Sequence, residues 1–406
     1  MRVLIVALLL FTLANSILAG NVTPPEKTRV FWGLLGSNPA EDSINPYRLT
    51  RDDNSVDVAS LLYSIRRDYK KIEEIGDETG IPANDITRKL RQLLACELVV
   101  ERNGTFLVNF PFFDAPLRDR MNELAFEITE EIADRVRAAI PQLKRSVAVS
   151  TLVGQGYTWD EVALVIVGGL LLDTGLNDRG LRKNDIFKQL RDTPVRPGGY
   201  RYWYKAVEGG WGPYWKFGQN LRSMDNKGYW FCHLYGQIPG QRINWRKVWR
   251  TDDPRNEAIL LPLIRDGRLA VDRIVLPAPY SDSVSATLGK MTEACVIRIE
   301  HDTVYPAFPI FHESDIQSTI GYVDAVCKEI IDSVYLPFVP KLRAEWEKIA
   351  PANWDMPHVE DLFVRQVFSR PYNLVLHLLI EEGALPPSPM EPPFDYYGIC
   401  GDFEVL

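Results

Sequence analysis

Residues 72–108 read IEEIGDETGIPANDITRKLRQLLACELVVERNGTFLV, and the spacing of this stretch decides the fold of the N-terminal region. Ile72 and Ile75 share one face of a short helix, Gly76 is small, and Gly80-Ile81 interrupts the helical period before Pro82. Proline suits the first turn of a helix, where its missing N–H has no partner to lose. A second helix therefore starts there with Ile86, Leu90, Leu93 and Leu94 inward. A small residue at Gly76 is expected to let the two helices cross closely, and Gly80 supplies the backbone freedom of a sharp turn. The apolar runs 98–100 and 105–108 flank Asn103-Gly104, the strongest short hairpin signal. With a preceding helix from 56–69, residues 56–113 are expected to form three helices and a two-stranded hairpin.

This arrangement resembles the winged helix-turn-helix domain of transcription regulators, over about 55 residues or roughly one-seventh of the chain. The resemblance implies that 82–95 form a recognition helix presenting Asn84, Asp85, Thr87, Arg88, Arg91 and Gln92 to the groove of double-stranded DNA. Arginine and asparagine suit bidentate base contacts, and Thr87 suits a phosphate or a thymine methyl. Arg66, Arg67, Lys70 and Lys71, with Arg102 on the wing, would hold the backbone. Eight basic and nine acidic residues lie between 56 and 113, so the module is about neutral, unlike a strong non-specific binder. The other reading of the same module is a winged helix used for protein contact or packing.

Downstream, Asp114 and Pro116 open a helix whose apolar positions Leu117, Met121, Leu124, Ile128, Ile132, Val136 and Ile140 recur every three or four residues, and Pro141 is expected to stop it. Thr158 and Glu161 form a capping-box signature before the apolar run 162–172, and a short helix fits 184–191. Tyr and Trp crowd into 200–249 among glycines, and β-rich runs follow at 273–276 and 294–299. Helical spacing returns over 319–334, 339–349, 358–368 and 371–382, with Gly383 as the stop. No repeat of solenoid period is visible. The expected fold is a multi-domain α+β chain: a polar linker over 21–55 with a short strand at 30–35, the winged helix-turn-helix at 56–113, a helical connector at 114–195, a larger α+β region at 196–385 with a mainly antiparallel sheet and C-terminal helices, and a Pro-rich tail at 386–406.

The whole chain has 406 residues, 46% of them hydrophobic and 25% charged, which excludes collagen, wholesale disorder and a polytopic membrane protein. Its net charge of -8 means that no global field draws it to nucleic acid, so any DNA contact comes from a local face. Met1-Arg2, the apolar stretch 3–13 and the small or polar residues Ala14, Asn15, Ser16, Ala19 and Gly20 follow the plan of a secretory signal peptide over 1–20. That segment points to export, secreted or periplasmic, whereas a winged helix points to the cytoplasm. The five cysteines are widely spaced with no CxxC and read as separate thiols.

No dinucleotide loop, P-loop, HExxH or GxSxG is present, and Cys232-His233, His301-Asp302 and His312-Glu313 lack the spacing of a metal site. No catalytic residue, metal or cofactor is assigned. Trp203, Trp211, Trp215 and Trp230, with His233 as a polar contact, are the candidate ligand-binding residues, the other reading being an aromatic core. Together these features point to a ligand- or partner-responsive regulator whose partners are double-stranded DNA, a small-molecule or protein ligand on the C-terminal region, and a second copy in a homodimer. The alternative is an exported binding protein or enzyme that uses the winged helix as a structural or protein-contact module.

Overall fold

The computed structural model describes residues 30–36, 58–180, 195–196, 200–208, 217–224, 228–238, 241–242, 253–280, 283–354, 359–386 and 396–400. The chain is mixed α+β, with helices predominating over small, mainly antiparallel sheets. It divides into two compact units: residues 1–112 with 196–200 and 204–210, and residues 113–195 with 201–203 and 211–406. The readings made on residues 1–29, 184–191 and 387–393 lie outside the described residues. Among the described residues no helix is long and apolar enough to cross a membrane.

The first unit holds β1 (Val30–Gly36), α1 (Val58–Ser64), α2 (Ile72–Thr79), α3 (Ala83–Ala95), β2 (Val99–Arg102) and β3 (Thr105–Val108). The Glu74 carboxylate accepts the Lys71 N–H at 2.7 Å, which closes the start of α2. Gly80 ends α2 at φ +69°, and its N–H donates to the Gly76 carbonyl at 2.8 Å. A Cβ added at Gly76 would meet the Ile81 carbonyl at 3.5 Å and Ile86 Cδ1 at 3.7 Å, ordinary contacts, so the helix crossing has room for alanine and does not require glycine there. Leu61, Leu62, Ile65, Ile75, Ile86, Leu90, Leu93 and Leu98 are buried together with the hairpin's Phe106 and Val108. At about 1.5 to 3 kcal/mol for each large apolar side chain taken out of water, this face holds the helices on the hairpin. Asn103 (φ +54°) and Gly104 (φ +73°) turn β2 into β3 with Arg102 opposite Thr105, the double positive φ of a type I′ turn. Lys70 adds a bridge to Phe106 through two backbone hydrogen bonds of 3.0 and 2.8 Å. The strand β4 (Phe112–Phe113) pairs with β6 (Tyr200–Glu208), on which β1 and β5 (Val195–Arg196) also pair.

The second unit is built on α4 (Ala115–Ala148), whose Asp114 side chain caps it by accepting the Leu117 N–H. α4 runs through Pro141 instead of stopping there: Leu143 and Val147 continue the buried stripe, and that burial offsets the hydrogen bond proline removes. The predicted capping box is present, with the Glu161 carboxylate accepting the Thr158 N–H at 2.7 Å ahead of α6 (Trp159–Ala163); α5 (Thr151–Gly154) precedes it and a π-helical stretch, Leu164–Gly180, follows. Then come β7 (Phe217–Ser223), β8 (Tyr229–Ile238), β9 (Gln241–Arg242), α7 (Pro254–Asp266), β10 (Leu269–Ala270), a 3-10 turn (Val271–Arg273), α8 (Val284–Glu293), β11 (Ile297–Glu300), β12 (Thr303–Pro306) and β13 (Ile310–Phe311). The β-run expected at 273–276 is thus a helical turn and loop, with Val275 82% exposed.

Helices close the chain: α9 (Glu313–Asp315), α10 (Gly321–Ile330), α11 (Leu336–Ile349), α12 (Val359–Phe368) and α13 (Pro371–Glu381), with single π-turns at Ile316–Ile320 and Ile331–Tyr335. α10, α12 and α13 pack on α4, and Arg120–Glu345 and Arg135–Glu329 pairs at 2.8 and 2.7 Å bind α4 to α11 and α10. Asp315, 1% exposed, accepts the Thr151 N–H and the His312 N–H at 2.9 Å each, and the Thr151 hydroxyl as well. Residues 396–400, read as tail, form the strand β14 (Tyr396–Cys400), parallel to β13 and antiparallel to β8, with Tyr397 and Ile399 fully buried. The tail reading missed it because five prolines outweigh a five-residue strand in composition.

One regularity runs through both units. Residues 284–313 repeat the geometry of 86–115 at a constant shift of 198 positions, that of Pro111 to Pro309. The Leu98 N–H donates to the Leu93 carbonyl at 2.9 Å, and the Val296 N–H to the Met291 carbonyl at 2.9 Å. Glu97 and Cys295 both sit at φ +56°. β2 and β3 correspond to β11 and β12, the turn Asn103-Gly104 to His301-Asp302 (φ +47° and +61°), and β4 to β13. The Pro111 carbonyl accepts the Ala206 N–H at 3.0 Å, and the Pro309 carbonyl accepts the Gly398 N–H at 2.9 Å. A long helical segment then starts at Ala115 in one case and Glu313 in the other.

Candidate nucleic-acid interface

α3 has two faces of different chemistry. Ile86, Lys89, Leu90 and Leu93 are buried, and the helix packs on α2 and β2, while Asn84, Arg88, Arg91 and Gln92 are exposed. Positions 84, 88, 91 and 92 are spaced by four, three and one, so they line one side of the helix. Arg88 lies 3.5 Å from Asp85, one turn back, a contact open to water and therefore weak. Thr87 is half-buried and its hydroxyl donates to the Ala83 carbonyl at 2.8 Å, so that group is engaged by its own helix. Lys89, counted among the basic residues of the module, is 2% exposed and stands on the core side.

The expected phosphate-binding cations are held in different ways. Lys70 reaches back to Glu78, with Nζ 2.5 and 2.6 Å from the two carboxylate oxygens, and Ser64 donates to the same carboxylate at 2.7 Å. Partial burial pushes the Glu78 carboxyl up, but the hydrogen bonds from Lys70 and Ser64 outweigh it and hold the group below the usual carboxylate range. Arg66 lies over the Tyr63 ring at 3.6 Å and donates to the Tyr63 carbonyl at 2.7 Å. Lys71 is exposed at the start of α2. Arg102, exposed on the hairpin beside the turn, lies 5.2 Å from the Tyr69 ring, which steadies the guanidinium without covering it. Of the predicted contact set, Asn84, Arg88, Arg91, Gln92, Lys71 and Arg102 are exposed, while Thr87 and Lys70 are turned to partners within the module.

The predicted ligand-binding residues fall elsewhere. Trp203 is on β6 and His233 on β8, opposite Asn220 of β7 and Tyr396 of β14. Trp230, also on β8, is partly buried, and Trp211 and Trp215 lie outside the described residues. Among the described residues no three His, Cys, Asp or Glu side chains cluster as a metal site.

Sequence reading missed the counterpart surface at 284–306. There Ala286, Gly289 and Lys290 are exposed on α8 and Ile299 and Glu300 on β11. The signal that would have found it is the pair Phe110-Pro111-Phe112-Phe113 and Phe308-Pro309-Ile310-Phe311, which share the shift of 198 from Pro111 to Pro309. Compared with known protein families, with curated proteins and with solved structures, the chain matches none.

Proposed function

We propose that residues 56–113 are a winged helix-turn-helix that binds double-stranded DNA through α3, in a regulator whose remaining residues respond to a ligand or partner. The observation that supports this most is the division of α3 into an anchored apolar face and an exposed face carrying Asn84, Arg88, Arg91 and Gln92. Asn, Arg and Gln are the side chains that make paired hydrogen bonds to base edges, and exposed Arg102 on the hairpin supplies a cation for the backbone. The test is selection from random-sequence DNA with the full chain, followed by fluorescence anisotropy. Arg88→Ala and Arg91→Ala should each cost about 1 to 3 kcal/mol on the selected site and relax its sequence, while Arg102→Ala should weaken all sequences alike and lower the salt slope by roughly one unit. Failure to enrich any sequence at low salt counts against the reading. On the same proposal Trp203, Trp211, Trp215, Trp230 and His233 serve the ligand, which tryptophan fluorescence titration against a metabolite panel examines.

A second reading is an exported protein in which this module makes a protein contact. It is favoured by the occupation of Lys70 by Glu78 and of Arg66 by Tyr63, which withdraws two cations from any phosphate. Sequencing the N-terminus of the mature protein in its compartment separates the two.

A further inference from the structure

We infer that residues 254–311 are a second module of the same descent as the first, and that it has lost the base-reading face, so the chain reads DNA with one of its two modules. The inference rests on the DNA reading of α3 given above. From 86 to 113 the shift of 198 (Pro111 to Pro309) assigns each side chain of the first module a counterpart, because the same backbone hydrogen bonds, the same left-handed residues and the same strand ends recur at that shift.

Along that register three of the four inward positions of α3 keep their burial. Lys89, Leu90 and Leu93 correspond to Thr287, Leu288 and Met291, every one of them buried, and Ile86 corresponds to half-buried Val284. The outward positions do not keep their chemistry. Arg88 corresponds to Ala286 and Arg91 to Gly289, so the two forked donors are replaced by side chains with no hydrogen-bonding atom. Gln92 corresponds to Lys290, a point charge that suits phosphate and does not read a base edge. On the hairpin Arg102 corresponds to Glu300, which sets a carboxylate, 3.0 Å from Arg298, where the first module presents a cation; a carboxylate there repels the phosphate backbone. Glu101 corresponds to Ile299, 42% exposed. The helix α2 has shrunk to the single turn Val271–Arg273. Most of the packing has been kept and the three arginines at 88, 91 and 102 have no counterpart, the pattern expected when a copy is retained for its fold.

Two double variants of the full chain test this. R88A/R91A removes the donors of the first module; A286E/G289E puts two carboxylates on the matching face of the second, where a Cβ on Gly289 meets nothing within 4 Å, so α8 accommodates the change. Far-ultraviolet circular dichroism and a thermal melt confirm that both fold. On the site selected by the native chain, R88A/R91A should lose about 100-fold in affinity, the product of two bidentate contacts, and A286E/G289E should stay within about two-fold, since on this inference that face contacts no base. A loss of ten-fold or more from A286E/G289E overturns the inference while leaving the DNA reading intact. A native chain that selects no sequence overturns the DNA reading and this inference with it.

Discussion

The module at 86–113 and its counterpart at 284–311 have one backbone and two surfaces. Leu90, Leu93, Leu98, Val99, Phe106 and Phe110 are buried and so are their counterparts Leu288, Met291, Val296, Ile297, Val304 and Phe308, whereas Arg88, Arg91 and Arg102 correspond to Ala286, Gly289 and Glu300. A three-dimensional core is specified by volume and apolarity at a few inward sites, so Leu90 and Leu288 answer the same demand. The outward face of a helix carries no such demand, and Arg88 and Ala286 differ freely. The contrast separates what makes this fold from what the fold carries.

The equivalence is most directly broken by charging each core. Leu90→Asp and Leu288→Asp place a carboxylate at sites 1% and 5% exposed, and each should cost more than about 4 kcal/mol and erase hydrogen-exchange protection across its own module. Retained protection over 284–306 in Leu288→Asp would break the correspondence. A smaller effect distinguishes the two carbonyl-bonded strands. Ala206 occupies one, but Gly398 in the other has no room: an added Cβ would lie 3.1 Å from Ile264 Cγ1 and 3.2 Å from Phe308 Cε2, both in fully packed residues. Gly398→Ala should therefore destabilise by about 1 to 2 kcal/mol in a denaturant titration.

The hairpin turns should respond with opposite signs. Gly104→Ala puts a Cβ on a residue at φ +73° and should cost about 1 kcal/mol, whereas Asp302→Gly, at φ +61°, should gain a few tenths to about 1 kcal/mol. The smallest difference is in pH response. Glu78 has its folded pKa lowered, so its contribution is present above the ordinary carboxylate range and is lost as pH falls through and below it. In the second module the lowered carboxylate is Asp266, hydrogen-bonded by Arg265 at the end of α7, so the pair stands on a different element. Glu78→Gln should remove about 0.5 kcal/mol at neutral pH and leave acid stability unchanged, measured as the melting temperature from pH 7 to pH 3.

Much of the first module was legible because its local signals are strong. Asn103-Gly104 adopts the two left-handed conformations these residues favour and Gly80 is the left-handed stop of α2; in the second unit Thr158 with Glu161 likewise caps α6 as spaced. The second module stayed hidden because its turn is His301-Asp302, with no glycine, and its second helix is one turn long. A shift of 198 from Pro111 to Pro309 is also far longer than the period of a solenoid. Pro141 misled because a tertiary stripe through Leu143 and Val147 overrides a local breaker. The division of α3 into faces was legible by period alone, but the commitment of Lys70 to Glu78 and of Thr87 to Ala83 was not, since partners eight residues away or on the same helix's backbone leave no pattern in composition.

The carbonyls of Pro111 and Pro309 have a consequence for the order of events during synthesis. Each accepts from a residue, Ala206 or Gly398, that leaves the ribosome about ninety residues later, several seconds at ordinary elongation rates. Until then the strands of Phe112 and Ile310 await the strand they pair with in the finished sheet, next to modules whose own contacts are local and quick to form. The nascent chain thus passes twice through a stage in which a finished helical module trails an open strand edge, and those two intervals are when a holding chaperone would find its substrate.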